Sequence, residues 1–320
     1  MPDDYPFIRE VHSPITEKQL RPLDPRCQVV QFSSPLSQND FRKLSDFLKA
    51  FPDVPLRIYG HYAETPDLAF LSHFRFLKGF QADLYQLTDL RDLAFLPESL
   101  EYLGLGQTKR RLSLKPLARF KNLKDLFLEG HSKDFSVISE LTDLVSLSLR
   151  SVSLANLSPL LPLRHLRSLA LRLGGTRDLS LLPELNGLRY LELWMIKGLA
   201  DISPVSQLRE LRYLFLQDLK NVTELPSFAQ LSNLQRCDIE NLKGLHDLST
   251  IASAKNLREL VVVSMSQIPV SGFECFRNHP TLQAAMVGLG SMRRNAEVTR
   301  LLGVTPVSDR RPVERYVKDN

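Results

Sequence analysis

Leu144-Val-Ser-Leu-Ser-Leu149, Leu166-Arg-Ser-Leu-Ala-Leu171, Leu188-Arg-Tyr-Leu-Glu-Leu193 and Leu211-Arg-Tyr-Leu-Phe-Leu216 are four copies of one phrase, Leu-x-x-Leu-x-Leu. Working outward, the phrase recurs upstream as Leu100/Leu103/Leu105 and Leu123/Leu126/Leu128. Downstream it runs on with substitutions as Leu234/Cys237/Ile239, Leu257/Leu260/Val262 and Leu282/Ala285/Val287. Leu77/Phe80/Ala82 also fits, and Asp53/Leu56/Ile58 fits weakly. Successive starts from Leu77 onward lie 21 to 25 residues apart, and 61 of the 320 residues are leucine. A fixed period of this size is the mark of a repeat architecture, in which one core slot is filled again and again.

Each unit has a second half. Asp92-Leu-Ala-Phe-Leu96, Asn156-Leu-Ser-Pro-Leu160, Asp178-Leu-Ser-Leu-Leu182, Asp201-Ile-Ser-Pro-Val205 and Asp247-Leu-Ser-Thr-Ile251 follow one formula. A polar Asp or Asn before an apolar pair, with Ser and sometimes Pro, reads as a capped short helical turn. Each repeat is therefore expected to be a short strand, a turn and a compact helical return. One such unit cannot bury its own apolar face, whereas a stack of them makes a continuous core.

These residues resemble the leucine-rich repeat, in the 21–23-residue class that includes internalins and the leucine-rich regulator of protein phosphatase 1. The resemblance spans residues 53–290. It implies an α/β solenoid with a curved parallel sheet on the concave side and short helices or 3₁₀ turns on the convex side. It also implies a recognition scaffold, without naming what is recognised. One departure stands out. The family places Asn three residues after the last leucine of the phrase, but here those positions hold His131, Val152, Gly174, Ile196, Leu219, Leu242 and Met265. The backbone at that turn must find its partners elsewhere.

The ends are expected to close the stack. Residues 1–52 read as an extended Pro-containing segment, a strand at Gln28–Phe32 and an amphipathic helix from Ser37 to Phe51, with Ser37 as its N-cap. Residues 291–320 read as a capping helix over Asn295–Leu302, stopped by Gly303, and then a loose tail carrying Arg310, Arg311, Arg315 and Lys318.

Chemistry is sparse. The seven histidines are scattered without ligand spacing, so no metal or other cofactor is expected, and no Gly-rich phosphate loop or nucleophile motif occurs. Cys237 fills a leucine slot and reads as a small hydrophobe. The chain is therefore expected not to be an enzyme. Three cysteines, no apolar leader and no run of about 18 apolar residues point to a cytoplasmic protein that does not cross a membrane.

Side chains alternate across a strand, so the residues between the leucines face outward from the sheet. In adjacent repeats, residues in the same outward column are neighbours about 4.8 Å apart. This brings together Tyr190, Glu192, Trp194, Tyr213 and Phe215, with Arg150, Arg172, Arg236 and Asp238 around them and Phe127 further up the stack. Aromatic residues and arginines at exposed positions have the composition of a binding hot spot. The bland alternative is cross-strand stabilisation of the sheet. A protein partner is the reading adopted, whether the chain serves as inhibitor or immunity protein, regulatory subunit or effector.

Two other readings stay open. Arg150, Arg164, Arg167, Arg172, Arg177 and Arg189 form a basic cluster for a nucleic acid or an acidic partner. The sequence pI is about 9.1, but 41 Lys+Arg are mixed with 36 Asp+Glu, which argues against a phosphate-tracking face. A homodimer that buries the aromatic patch is the other.

Overall fold

The computed structural model describes residues 6–60, 67–309 and 313–317. The chain divides into two compact units, Met1–Leu144 and Val145–Asn320. Both are built the same way, from parallel strands in chain order joined by short helical returns.

In the first unit the strands are β1 (Ile8–Glu10), β2 (Val29–Phe32), β3 (Leu56–Gly60), β4 (Gly79–Leu84), β5 (Tyr102–Leu105) and β6 (Asp125–Glu129). Each pairs with the next in parallel. Helix α1 (Gln38–Leu48) fills the first return, and the Ser37 hydroxyl accepts the Asp40 N–H at 3.1 Å as its cap. The helix stops short of Phe51, just ahead of Pro52, which disfavours helical backbone at the residue before it. The Pro-containing N-terminal segment also supplies strand β1, a pairing that the extended reading left out. Phe32, Phe70, Phe74 and Phe80 are buried beneath α1 and its neighbouring turns.

The second unit holds β7 (Ser146–Arg150), β8 (Ser168–Arg172), β9 (Tyr190–Trp194), β10 (Tyr213–Gln217), β11 (Arg236–Glu240), β12 (Glu259–Val263), β13 (Ala284–Gly288) and β14 (Thr305–Pro306). The leucine phrase sets the register, with Leu147, Leu169, Leu191, Leu214 and Cys237 in one line of strand partners. All of these side chains are fully buried. Helix α2 (Met292–Leu302) follows β13, seats Val298 and Leu302, and ends on Gly303 in the left-handed region at φ 63°. Helix α3 (Val313–Val317) comes last. The short returns open on Asx turns: the carboxylates of Asp178, Asp201 and Asp247 and the amide oxygen of Asn156 accept the N–H two residues on, at 2.8–2.9 Å.

The missing Asn ladder is replaced mainly by backbone. In the phrases of β7 to β12, two residues after the last leucine position, the chain turns through the left-handed region at Ser151, Leu173, Met195, Asp218, Asn241 and Ser264, with φ between 50° and 57°. Each of the first five donates its N–H to a carbonyl of the next repeat, for example Leu173 to Trp194 at 2.9 Å and Met195 to Gln217 at 2.9 Å. The following position then points inward, which is why Val152, Ile196, Leu219, Leu242 and Met265 are apolar and buried. His131 is the exception that keeps a polar role. Its Nε2 meets the Gly106 carbonyl at 3.0 Å, and its Nδ1 accepts the Leu112 N–H at 3.4 Å.

Two outcomes follow from this turn. A left-handed side-chain residue costs about 1–2 kcal/mol relative to glycine, partly offset by glycine's freedom in the unfolded chain. Met195 is 44% exposed and gives up little packing. Met195→Gly is therefore expected to raise unfolding stability by about 0.5–1 kcal/mol, read from urea denaturation, while Met195→Ala gains nothing. His131 is buried, and burial holds its pKa below the ordinary value against the opposing pull of the Gly106 carbonyl. The unfolded chain takes that proton at about pH 6.5 and the folded chain only at lower pH, so acidification below that point favours unfolding. The fall in urea midpoint from pH 7.5 to 5.5 should be smaller in His131→Asn than in the native chain.

Candidate functional site

The outward columns of the second unit form as the alternation requires. Arg150 pairs in register with Arg172, and Arg172 with Trp194. Tyr190 pairs with Tyr213, Glu192 with Phe215, and Phe215 with Asp238. The Tyr190 and Tyr213 rings lie 5.0 Å apart, edge to face. Phe127 lies in the first unit, on β6, where it lines a cavity of about 430 Å³ with Arg57, Asp83, Tyr85 and Glu129.

Exposure is where expectation and structure part. The alternation predicts that Tyr190, Glu192, Tyr213, Phe215, Arg236 and Asp238 face solvent, yet all six are 2% exposed or less. The C-terminal segment covers part of this face, and over its described part it is not the loose tail expected. Helix α3 lies on this face, with Tyr316 packed against Tyr213 at 5.3 Å and Val313 and Val317 beside it. Polar contacts from described residues hold the segment down. Arg189 donates to the Val317 carbonyl at 3.0 Å, Arg236 to the Asp309 carbonyl at 2.9 Å, and Arg315 to Glu259 at 2.7 Å. Arg310, Arg311 and Lys318 lie outside the described residues. Sequence reasoning missed Glu259 and Tyr316 as members of this cluster. The available signal was the spacing of Val313, Tyr316 and Val317, one apolar face of a helical turn.

Two ion-pair systems stand on this face. Arg236, fully buried, holds Asp238 with two hydrogen bonds of 2.8 and 3.0 Å and Glu259 with a third of 2.7 Å. Tyr213 donates its hydroxyl to the same Asp238 at 2.7 Å. Burial pushes the Tyr213 hydroxyl pKa up, and the Asp238 carboxylate adds to the shift. Burial disfavours the Arg236 charge most strongly, but the bonds and charge of Asp238 outweigh it and hold the guanidinium protonated. Glu192 is the centre of the second system. It accepts two bonds from Arg172, at 2.8 and 2.5 Å, and the Tyr190 hydroxyl at 2.7 Å.

The column after the last leucine stays partly open. Arg150, Arg172, Trp194, Gln217 and Glu240 are all of intermediate exposure. The Arg150 guanidinium sits 5.8 Å from the Trp194 ring centre, and the indole N–H donates to Asp218 at 3.2 Å. The basic cluster is dispersed: Arg150 and Arg172 are on the sheet face, Arg167 and Arg189 precede β8 and β9, and Arg164 and Arg177 are exposed in turns. Cys237 is fully buried, and burial drives its thiol pKa well up, so it has no nucleophile character. Among the described residues there is no group of His, Cys, Asp or Glu suited to a metal ion, and no helix long and apolar enough to cross a membrane.

This architecture, a stack of parallel strands on a leucine-rich period, is the leucine-rich-repeat fold. No protein-family model matches the chain, and no curated protein does. Solved structures do. An internalin of Listeria monocytogenes matches at TM-score 0.57 and 20% identity, over 92% of this chain and 90% of that one. Toll of Drosophila, solved in complex with Spätzle, matches at TM-score 0.59 and 13% identity, over 88% of this chain and 43% of that one. A TLR13 chain solved in complex with ssRNA13 matches at TM-score 0.54 and 15% identity, over 88% of this chain and 50% of that one. At these identities the likeness is one of fold.

Removing Arg172 would leave the Glu192 carboxylate buried with only Tyr190 of its two partners. Because Arg172 keeps 28% of its side chain exposed, Arg172→Ala is expected to cost about 2–3 kcal/mol, below the full figure for breaking a buried pair. Chemical denaturation measures it, and Arg172→Ala/Glu192→Leu should recover part of the loss.

Proposed function

We propose that the chain is a non-catalytic scaffold that recognises a protein partner through the sheet face of its second unit. The observation that carries this reading is Trp194, the chain's single tryptophan, standing partly exposed in an outward column between Arg172 and Gln217 and beneath the guanidinium of Arg150. The leucine core has no use for an indole at that position. A flat aromatic flanked by arginines, with a rim of Gln217 and Glu240, has the composition of an interface centre and its polar edge. The fold agrees at the level of the scaffold, since Toll is solved with Spätzle on the same kind of framework. The three cysteines are unpaired, which supports a reducing, cytoplasmic setting.

The test is affinity capture from native lysate with partner identification by mass spectrometry, comparing the native chain with Trp194→Ala/Arg150→Ala. A partner held by the native chain and weakened about 30-fold or more in the variant supports the reading. Equal capture by both overturns it. Binding that falls steeply with salt and tracks nucleic acid would instead move the function to the dispersed arginines.

A further inference from the structure

Beside the open Trp194 strip, the same face carries a seat that is already filled. The described residues after β14 lie against the sheet face. The Asp309 carbonyl of this segment lies at Arg236 of β11, its Arg315 at Glu259 of β12, its Tyr316 at Tyr213 of β10, and its Val317 carbonyl at Arg189, the residue before β9. What it touches is unusual for a core. The sheet groups satisfy one another without it: Tyr213 with Asp238, Arg236 with Asp238 and Glu259, and Arg172 and Tyr190 with Glu192. Lifting the segment would expose charges that already have partners and leave no orphaned carboxylate. Closing it takes those same charges out of water, which opposes closure.

The segment itself is slight. Helix α3 is five residues long, far below the length at which a helix holds itself in water. Among the described residues, the segment's contacts with the sheet face include one tyrosine ring, two partly buried valines, two backbone carbonyls and the Arg315 guanidinium. Glu259 divides its oxygens between the sheet and the segment, giving Oε2 to Arg236 and Oε1 to Arg315. The seat therefore reads three kinds of feature: an aromatic ring at Tyr213, a cation at Glu259, and carbonyl acceptors at Arg189 and Arg236. Two aromatic rings, paired acids and two donor arginines on a sheet face form a receptor surface, and the chain's own C-terminal segment is its ligand.

We propose that this seat is an exchangeable recognition site for a helical turn bearing an arginine followed by a tyrosine. The described residues after β14, 307–309 and 313–317, are a tethered stand-in that a partner's segment of the same chemistry displaces. The inference deepens the function proposed above and rests on it for the existence of a protein partner. The seat's exchangeability rests on its own geometry.

The experiment uses the full-length chain and a fluorescein-labelled peptide, Val304–Asn320 of this sequence. Full-length Tyr316→Ala/Arg315→Ala, whose own segment can no longer compete, should bind the peptide in a saturable anisotropy titration. The native chain should bind it about tenfold more weakly or less, because a filled site lowers apparent affinity by the fraction that is open. A peptide carrying Tyr316→Ala should bind neither. In hydrogen exchange on the native chain, amides of 313–317 should exchange well ahead of those of β10. No peptide binding by the variant, or amides of 313–317 protected as long as those of β10, would show the segment to be a fixed part of the core and overturn the proposal. Native chain that doubles in mass with concentration, and loses this with Tyr316→Ala, would assign the seat to a second copy and overturn it equally. Neither result bears on capture through Trp194, so the two readings fail separately.

Discussion

The second unit depends on one backbone hydrogen bond repeated down the stack: the N–H of a left-handed residue, donated to a carbonyl of the next repeat. It closes each strand at the same place, and so every strand starts the next turn in the same register. Register then decides everything on the surface. Leucines fall in line behind the sheet, and the outward residues become columns in which chemistry far apart in sequence is adjacent in space. With an Asn amide at the turn, side chains would do this work. Here the work falls to the main chain, and the freed inward position becomes another apolar slot, held by Ile196, Leu219 or Met265. The cost is a side-chain residue at positive φ in each turn. Asp218 and Asn241 tolerate it through their short polar side chains, while Leu173 and Met195 carry the strain.

Burial on the outward face is a second consequence of register. Strands β9, β10 and β11 are buried on both faces except at their last residue, whereas β7 alternates. A strand covered on both sides normally reads as a continuous apolar run. These do not, because the covering came to a face that was already polar: Glu192, Arg236 and Asp238 alternate with leucine, cysteine and isoleucine. The charges survive burial because each is bonded more than once and to an opposite charge, which is the condition under which buried ions are tolerated. An apolar isostere set would pack at least as well. The polar choice therefore makes sense for a face that meets water, or another protein, during part of its life.

Much of this was legible in the sequence, and the boundary between what was and was not is physical. The repeat, its strands and the neighbour relations among Tyr190, Glu192, Trp194 and Tyr213 follow from a period carried by leucine, because a local pattern repeated many times averages out local exceptions. The backbone ladder was not legible, since nothing in the identities of Leu173 or Met195 advertises a left-handed turn. The cover on the aromatic columns was not legible either. Val313, Tyr316 and Val317 form a single helical turn within a charged stretch, and their partner Tyr213 lies about a hundred residues earlier. Periodicity says where a residue points and is silent on what arrives from elsewhere to sit on it. The alternation puts Asp238 and Arg236 on the outward face, around the aromatic residues of a binding surface, whereas in the structure both are buried.

The open strip and the filled seat are not separate places, because they share Glu192. Its carboxylate accepts the hydroxyl of Tyr190, whose ring packs on Tyr213 in the covered column, and both ends of the Arg172 fork, which stands in the open column between Arg150 and Trp194. One carboxylate thus links the residues beneath Tyr316 to the arginine beside the tryptophan. A side chain held by two partners at once keeps its rotamer only while both remain in place, so the Arg172 fork is aimed by the packing of the tyrosines as much as by its own strand. The covered column and the open column therefore meet at one buried carboxylate, which fixes Tyr190 on one side and Arg172 on the other.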